Sequence, residues 1–170
     1  KDGSRAGTPS FPTSWKLIVD DGDDISGDDS VEILYLYYAS DNDYVFFKIT
    51  TKAAVDLSDS TLGVIIDDQE NAGVYEAACG SYRAGSANRG YTYQWLNSIW
   101  DQQTTGLDYN DHIKVNDGHN GVQLACDKDD LGFVIDEDND KIRAVSTDVD
   151  KRAFSGDWEG ENVPSTDLDD

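Results

Sequence analysis

The chain is short of several things. Among its 170 residues there is no methionine, and there are three prolines, two cysteines, two histidines and only 13 lysines and arginines. Against those cations stand 35 acidic residues, a formal net charge of -22, and this argues strongly against nucleic acid and anionic membrane surfaces as partners on electrostatic grounds. No apolar run approaches the length needed to span a bilayer, so membrane insertion is not expected. His112 and His119 form neither His-x-His nor His-Glu-x-x-His, which removes the usual zinc-site signatures. Gly-x-Ser-x-Gly, Cys-x-x-Cys and a phosphate-cradling glycine loop ahead of a helix are all missing. Pairs of carboxylates abound, and that abundance makes them uninformative about glycoside hydrolysis. The expectation is a protein that is not an enzyme.

Cys79 and Cys126 lie far apart in two apolar contexts, VYEAACGSY and VQLACDKDD. One disulfide joining two strands is the simplest reading, and two buried free thiols are the alternative. The chain starts at Lys1 with no apolar leader, as expected of a mature secreted or cell-surface protein.

What is present in excess is aspartate: 29 Asp against 6 Glu. Solubility or salt adaptation is served by either residue. Short carboxylates in turns, by contrast, are what a hard cation prefers, so the bias points to calcium, with a salt-adapted acidic surface as the plainer reading. The densest stretch puts Asp20, Asp21, Asp23, Asp24, Asp28 and Asp29 within ten residues. Its like charges repel unless a counter-ion joins them, and its glycine spacing does not fit an EF-hand. A second candidate comprises Asp136, Asp138 and Asp140, and Asp67 with Asp68 ends another apolar run. Asp127, Asp129 and Asp130 form a weaker third group.

The fold is read from Val31 to Thr51, where VEILYLYYAS and YVFFKITT flank the turn-forming Asp41, Asn42 and Asp43. Val45, Phe47 and Ile49 alternate with Tyr44, Phe46 and Lys48, so one face is wholly apolar and the other has a polar end. Further short strands are expected at residues 15–19, 61–66, 74–78, 90–100, 112–115, 122–126, 131–135 and 141–145, with a glycine-containing loop around Arg83 to Arg89. The sum is a single all-β domain over residues 15–155, an antiparallel β-sandwich of jelly-roll or immunoglobulin-like type with long acidic loops. Residues 1–14 read as a flexible N-terminal arm, able to lie on its own domain or on a neighbouring subunit, and residues 156–170 as an acidic tail. Tyr91, Tyr93 and Trp95 share one face of a strand and either fill a core layer or form a stacking platform for sugars, with Trp100 near a rim.

The order of Trp15, an acidic Asp/Gly loop, the strand Glu32 to Tyr38, the run Asp43-Tyr44-Val45-Phe46-Phe47-Lys48-Ile49, the strand end Ile66-Asp67-Asp68, and later Tyr93 and Trp95 resembles secreted β-sandwich modules related to family 9 carbohydrate-binding modules and DOMON domains. The resemblance spans roughly residues 15–100. It implies that Tyr44, Phe46 and Ile49 are framework, that Asp67 and Asp68 lie beside a loop, that calcium supports the loops, and that Trp95 or Trp100 faces a ligand. No methionine is present to ligate haem as in some of those domains. Two functions follow as expectations: an extracellular calcium-stabilised structural subunit that self-associates into a homo-oligomer or filament, or a non-catalytic glycan-binding module.

Overall fold

The computed structural model describes residues 7–21, 29–58, 60–67, 77–96, 99–102, 111–136 and 140–147; for several strand residues, Tyr93, Trp95 and Trp100 among them, it describes the backbone alone. The strands are β1 (Lys16–Asp20), β2 (Ile33–Ser40), β3 (Tyr44–Thr51), β4 (Thr61–Asp67), β5 (Ala77–Ala84), β6 (Ala87–Leu96), β7 (Ile99–Gln102), β8 (Ile113–Val115), β9 (Gly121–Asp127) and β10 (Lys141–Thr147), with one short helix, α1 (Lys128–Leu131). They form two five-stranded sheets, ordered β1-β2-β3-β9-β8 and β10-β4-β5-β6-β7. Every described pairing is antiparallel, so the fold is all-β with two antiparallel sheets.

The β2–β3 hairpin closes because Asp41 caps its own turn. The Asp41 carboxylate accepts the backbone N–H groups of Asp43 (2.9 Å) and Tyr44 (2.7 Å), the local bonding that makes aspartate a turn former. Registers of Tyr38 with Phe47 and Leu36 with Ile49 put the apolar alternation on one side. There Leu36, Val45, Phe47 and Ile49 meet Leu62, Val64, Ile66 and Ala77 of the second sheet in one buried cluster, completed by Val122 and Leu124 of β9. Each large side chain so enclosed contributes about 1.5–3 kcal/mol through burial. Within this layer Cys79 of β5 and Cys126 of β9 form a disulfide between the sheets, their Cα atoms 6.2 Å apart.

The first sheet also has an outer apolar strip, Tyr44, Phe46 and Ala125, covered by Phe11, Trp15 and Ala39. Residues 7–15 therefore pack on their own domain, one of the two placements open to the arm. The Phe11 and Phe46 rings are 5.7 Å apart, Pro9 is buried, and the Tyr44 hydroxyl donates to the Gly7 carbonyl. Rings on both sides exclude water from the strip, which offsets the ordering of a proline-containing segment. Residues 1–6 and the 156–170 tail lie outside the described residues.

Two expectations are corrected. Residues 83–89 are not a loop: β5 and β6 run on to a tight turn at Gly85 and Ser86, with Arg83 opposite Asn88, and Gly85 takes the positive φ of 60° that the turn demands. Residues 131–135 are not a strand. Asp127 caps α1 by accepting from the Asp129 N–H, and Gly132 ends it in a left-handed conformation, so local capping overrides the apolar run LGFVI. Asp127 and Asp129 thus serve as helix cap and first turn.

Candidate functional site

The carboxylates singled out from the sequence are dispersed among the described residues. Asp20 is exposed at the end of β1, whereas the backbone of Asp21 donates to the Leu34 carbonyl at 2.8 Å. Asp29 pairs with Lys52 at 3.1 Å, and its carbonyl accepts from the Ala53 N–H at 2.8 Å. Asp67 is buried at the end of β4, opposite Lys141. Asp136 and Asp140 are brought together: the Asp136 N–H donates to the Asp140 carboxylate at 2.7 Å, and the Asp140 N–H to the Asp136 carbonyl at 2.8 Å. This closes the loop ahead of β10. Asp23, Asp24, Asp28, Asp68 and Asp138 lie outside the described residues. Among the described residues no group of three or more His, Cys, Asp or Glu is arranged to hold a metal ion.

The aromatic segment forms β6 and β7, with Trp95 opposite Trp100 and Tyr93 opposite Gln102 in the backbone register; their side chains lie outside the description. Thr92 and Gln94 between them are buried, and Thr92 lies opposite Cys79, so these alternate positions take the core side of β6. Gln94 donates to the Asp130 carbonyl at 2.7 Å and ties the strand to α1.

Two surface features do stand out. The first is the edge shared by β1 and β10, each the terminal strand of its sheet. A groove of about 200 Å³ lies there, lined by Lys16, Leu17, Ile18, Tyr38, Asp140 and Ile142. Leu17 is 47 % and Ile18 37 % exposed, large apolar side chains left in water. A bulge between Leu17 and Val19 shifts the register of β1 on β2 and makes the edge irregular.

The second is the outer face of the first sheet, beside the strip covered by the arm. Register places Tyr37 opposite Lys48 and Tyr35 opposite Thr50. The Lys48 ammonium lies 4.0 Å from the Tyr37 ring centre and 5.4 Å from that of Trp15, and the Tyr35 ring is 6.1 Å from Tyr37. All four side chains are half-buried. Desolvation pushes the Lys48 pKa below the ordinary lysine value of 10.5. Sequence alternation put Lys48 on the outer face of β3; the return of Trp15 over it depends on the arm's path, which no periodicity announces.

A tighter knot of polar groups fixes the start of the arm. His112, buried, lies 2.9 Å from the Asp111 carboxylate, whose other oxygen accepts from the Thr8 hydroxyl at 3.3 Å, while the Tyr44 ring meets His112 edge-on at 5.4 Å. The Asp111 carboxylate stands between the Thr8 hydroxyl and the His112 imidazole, and these contacts hold the arm.

Among the described residues no helix is long and apolar enough to cross a membrane. No family model, no curated protein and no solved structure matches the chain. Among the described residues, fold and surface together define an all-β fold of two antiparallel sheets with an apolar open edge and a cation–aromatic face.

Proposed function

We propose that the protein is an extracellular, non-catalytic structural subunit that self-associates, with calcium held by its acidic loops stabilising the assembly. The observation that carries this reading is the β1–β10 edge, where Leu17 and Ile18 remain exposed beside a groove floored by Tyr38 and Ile142. Covering that surface with a second copy removes apolar area from water, at about 25 cal/mol per Å². The bulge in β1 favours side-chain packing over simple strand addition. Copies charged at -22 repel each other, and cations gathered by the aspartate-rich loops relieve that repulsion and make assembly depend on calcium. An inter-sheet disulfide suits an oxidising, extracellular setting. The fold class is read more finely as a jelly-roll or immunoglobulin-like sandwich of the kind found in family 9 carbohydrate-binding and DOMON-like modules.

The test is light scattering and electron microscopy on metal-stripped protein, titrated with calcium at fixed ionic strength. Growth of ordered polymers under calcium but not under matched magnesium supports the proposal. Association that is unchanged by chelation removes its calcium part, and a monomer under every condition removes the whole.

A second reading, a non-catalytic glycan-binding module, is favoured by one observation: half-exposed Tyr35, Tyr37 and Trp15 share one sheet face, where sugar rings stack on aromatic side chains. Glycan retention that survives loss of self-association would support it.

A further inference from the structure

We propose that Trp15, Lys48 and Tyr37, flanked by Tyr35, form a subsite for a carboxylate-bearing sugar, a uronate unit of an acidic polysaccharide; this rests on the glycan-binding reading above. The argument begins with Lys48. Three other described lysines meet oxygen: Lys52 pairs with Asp29, Lys114 with Asp117 while also lying 5.1 Å from the Phe11 ring centre, and Lys128 donates to the Asp41 carbonyl. Lys48 instead lies between two rings, and among the described residues no carboxylate pairs with it, in a chain with 35 acids. Aromatic faces stabilise a cation by about 0.5–2 kcal/mol but do not neutralise it. Burial, which drives its proton affinity down, means that part of its hydration has been lost without a counter-ion in return.

A ligand that completes the arrangement needs two things: an anionic oxygen for the ammonium and a flat, weakly polar C–H surface for Tyr35 and Tyr37. A hexuronate carries both on one ring. A neutral hexose offers the surface without the charge, and an aspartate-rich peptide offers the charge without the ring. Net charge does not forbid the contact. At physiological salt the repulsion from the acidic loops is screened over about 8 Å, and one uronate needs one cation, whereas nucleic acid needs a row of them. Thr50, whose hydroxyl donates to the Tyr35 carbonyl at 3.5 Å, supplies a polar margin on the same face.

The experiment is an NMR titration of the full chain in EDTA with trigalacturonate, neutral galactotriose and, separately, the peptide Asp-Asp-Gly-Asp-Asp. The expected result is movement of the Trp15 indole and of the Tyr35 and Tyr37 ring signals with trigalacturonate, with a Kd of about 1 mM, weakened about tenfold by Lys48→Gln and retained by Lys48→Arg. Both variants alter a half-exposed position, and an unchanged spectrum elsewhere verifies the fold. Equal binding of the neutral trisaccharide, indifferent to Lys48→Gln, overturns the uronate assignment and leaves the glycan reading standing. No response to either sugar overturns both. A Lys48-dependent response to the peptide alone overturns the sugar in favour of an acidic protein segment.

Discussion

Replacing Asn116 by alanine should be among the most damaging single changes outside the core. Its side chain joins two segments that sequence leaves 61 residues apart. The amide oxygen accepts the N–H groups of Val55 (3.0 Å) and Gly121 (3.0 Å), and the amide nitrogen donates to the Val55 carbonyl at 2.9 Å. Val55 and Gly121 are both buried, so alanine strands two donors and one acceptor where water enters poorly. At the lower end of the cost of an unsatisfied group, about 1 kcal/mol each, that is about 3 kcal/mol. Asn116 also has a φ of 52°, and an alanine held in the left-handed region adds about 1 kcal/mol. The expected loss is about 4 kcal/mol, or roughly 8–16 °C in Tm for a domain of this size. Urea unfolding followed by circular dichroism reads it. Asn116→Gly separates the parts, because it removes the bonds but relieves the backbone, and should be milder than alanine by about 1 kcal/mol. A loss under about 1 kcal/mol for alanine would refute the claim that these bonds join the segment around Val55, between β3 and β4, to the β8–β9 hairpin.

Three other expectations are open to direct measurement. Reducing the Cys79–Cys126 disulfide, whose partners are 47 residues apart, should cost about 4 kcal/mol by loop-closure entropy, seen as a lower urea midpoint in dithiothreitol; an unchanged midpoint would sink it. Asp56 accepts the Ser58 N–H at 2.9 Å and faces Arg83 at 3.3 Å, and these hold its carboxyl below the ordinary value of 3.8. Its folded pKa is depressed, so its contribution is present above the unfolded value and lost as pH falls through the folded one; carboxyl NMR should show a midpoint under 3.8 that moves up in Arg83→Gln. Phe11→Ala removes the ring against Phe46 and should cost about 1–2 kcal/mol while exposing the arm to limited proteolysis near Pro12, whereas resistance equal to wild type would show that the arm is held by other contacts.

Much of the two-sheet plan was legible because alternation is a local property. Val45, Phe47 and Ile49 announced their core face, Asp41–Asp43 announced the hairpin, and Asn116 announced a turn, since each acts within a few residues. Strand 131–135 was misread because LGFVI has strand composition, while the Asp127 cap and Gly132 terminus that decide its shape are single residues at its border. The continuation of β5 and β6 through Arg83 and Arg89 was hidden for the opposite reason: small and polar residues suit a ladder once a long partner strand is supplied. The candidate site was less legible. The outward position of Lys48 followed from period two, but its place between Tyr37 and Trp15 joins residues from three parts of the chain, and the exposure of Leu17 and Ile18 depends on which strands end the sheets. Where the aspartate clusters are described, their members take structural partners: Asp29 turns to Lys52, and the Asp140 carboxylate accepts the Asp136 N–H.

The bond between Cys79 and Cys126 closes a covalent ring of chain that carries β6, β7 and β8. A protease that cuts once anywhere inside that ring opens it without dividing the molecule, since both fragments stay joined through the sulfurs. A single nick between these cysteines is therefore a wound that leaves one covalent molecule, and a cut outside them is the kind that makes two.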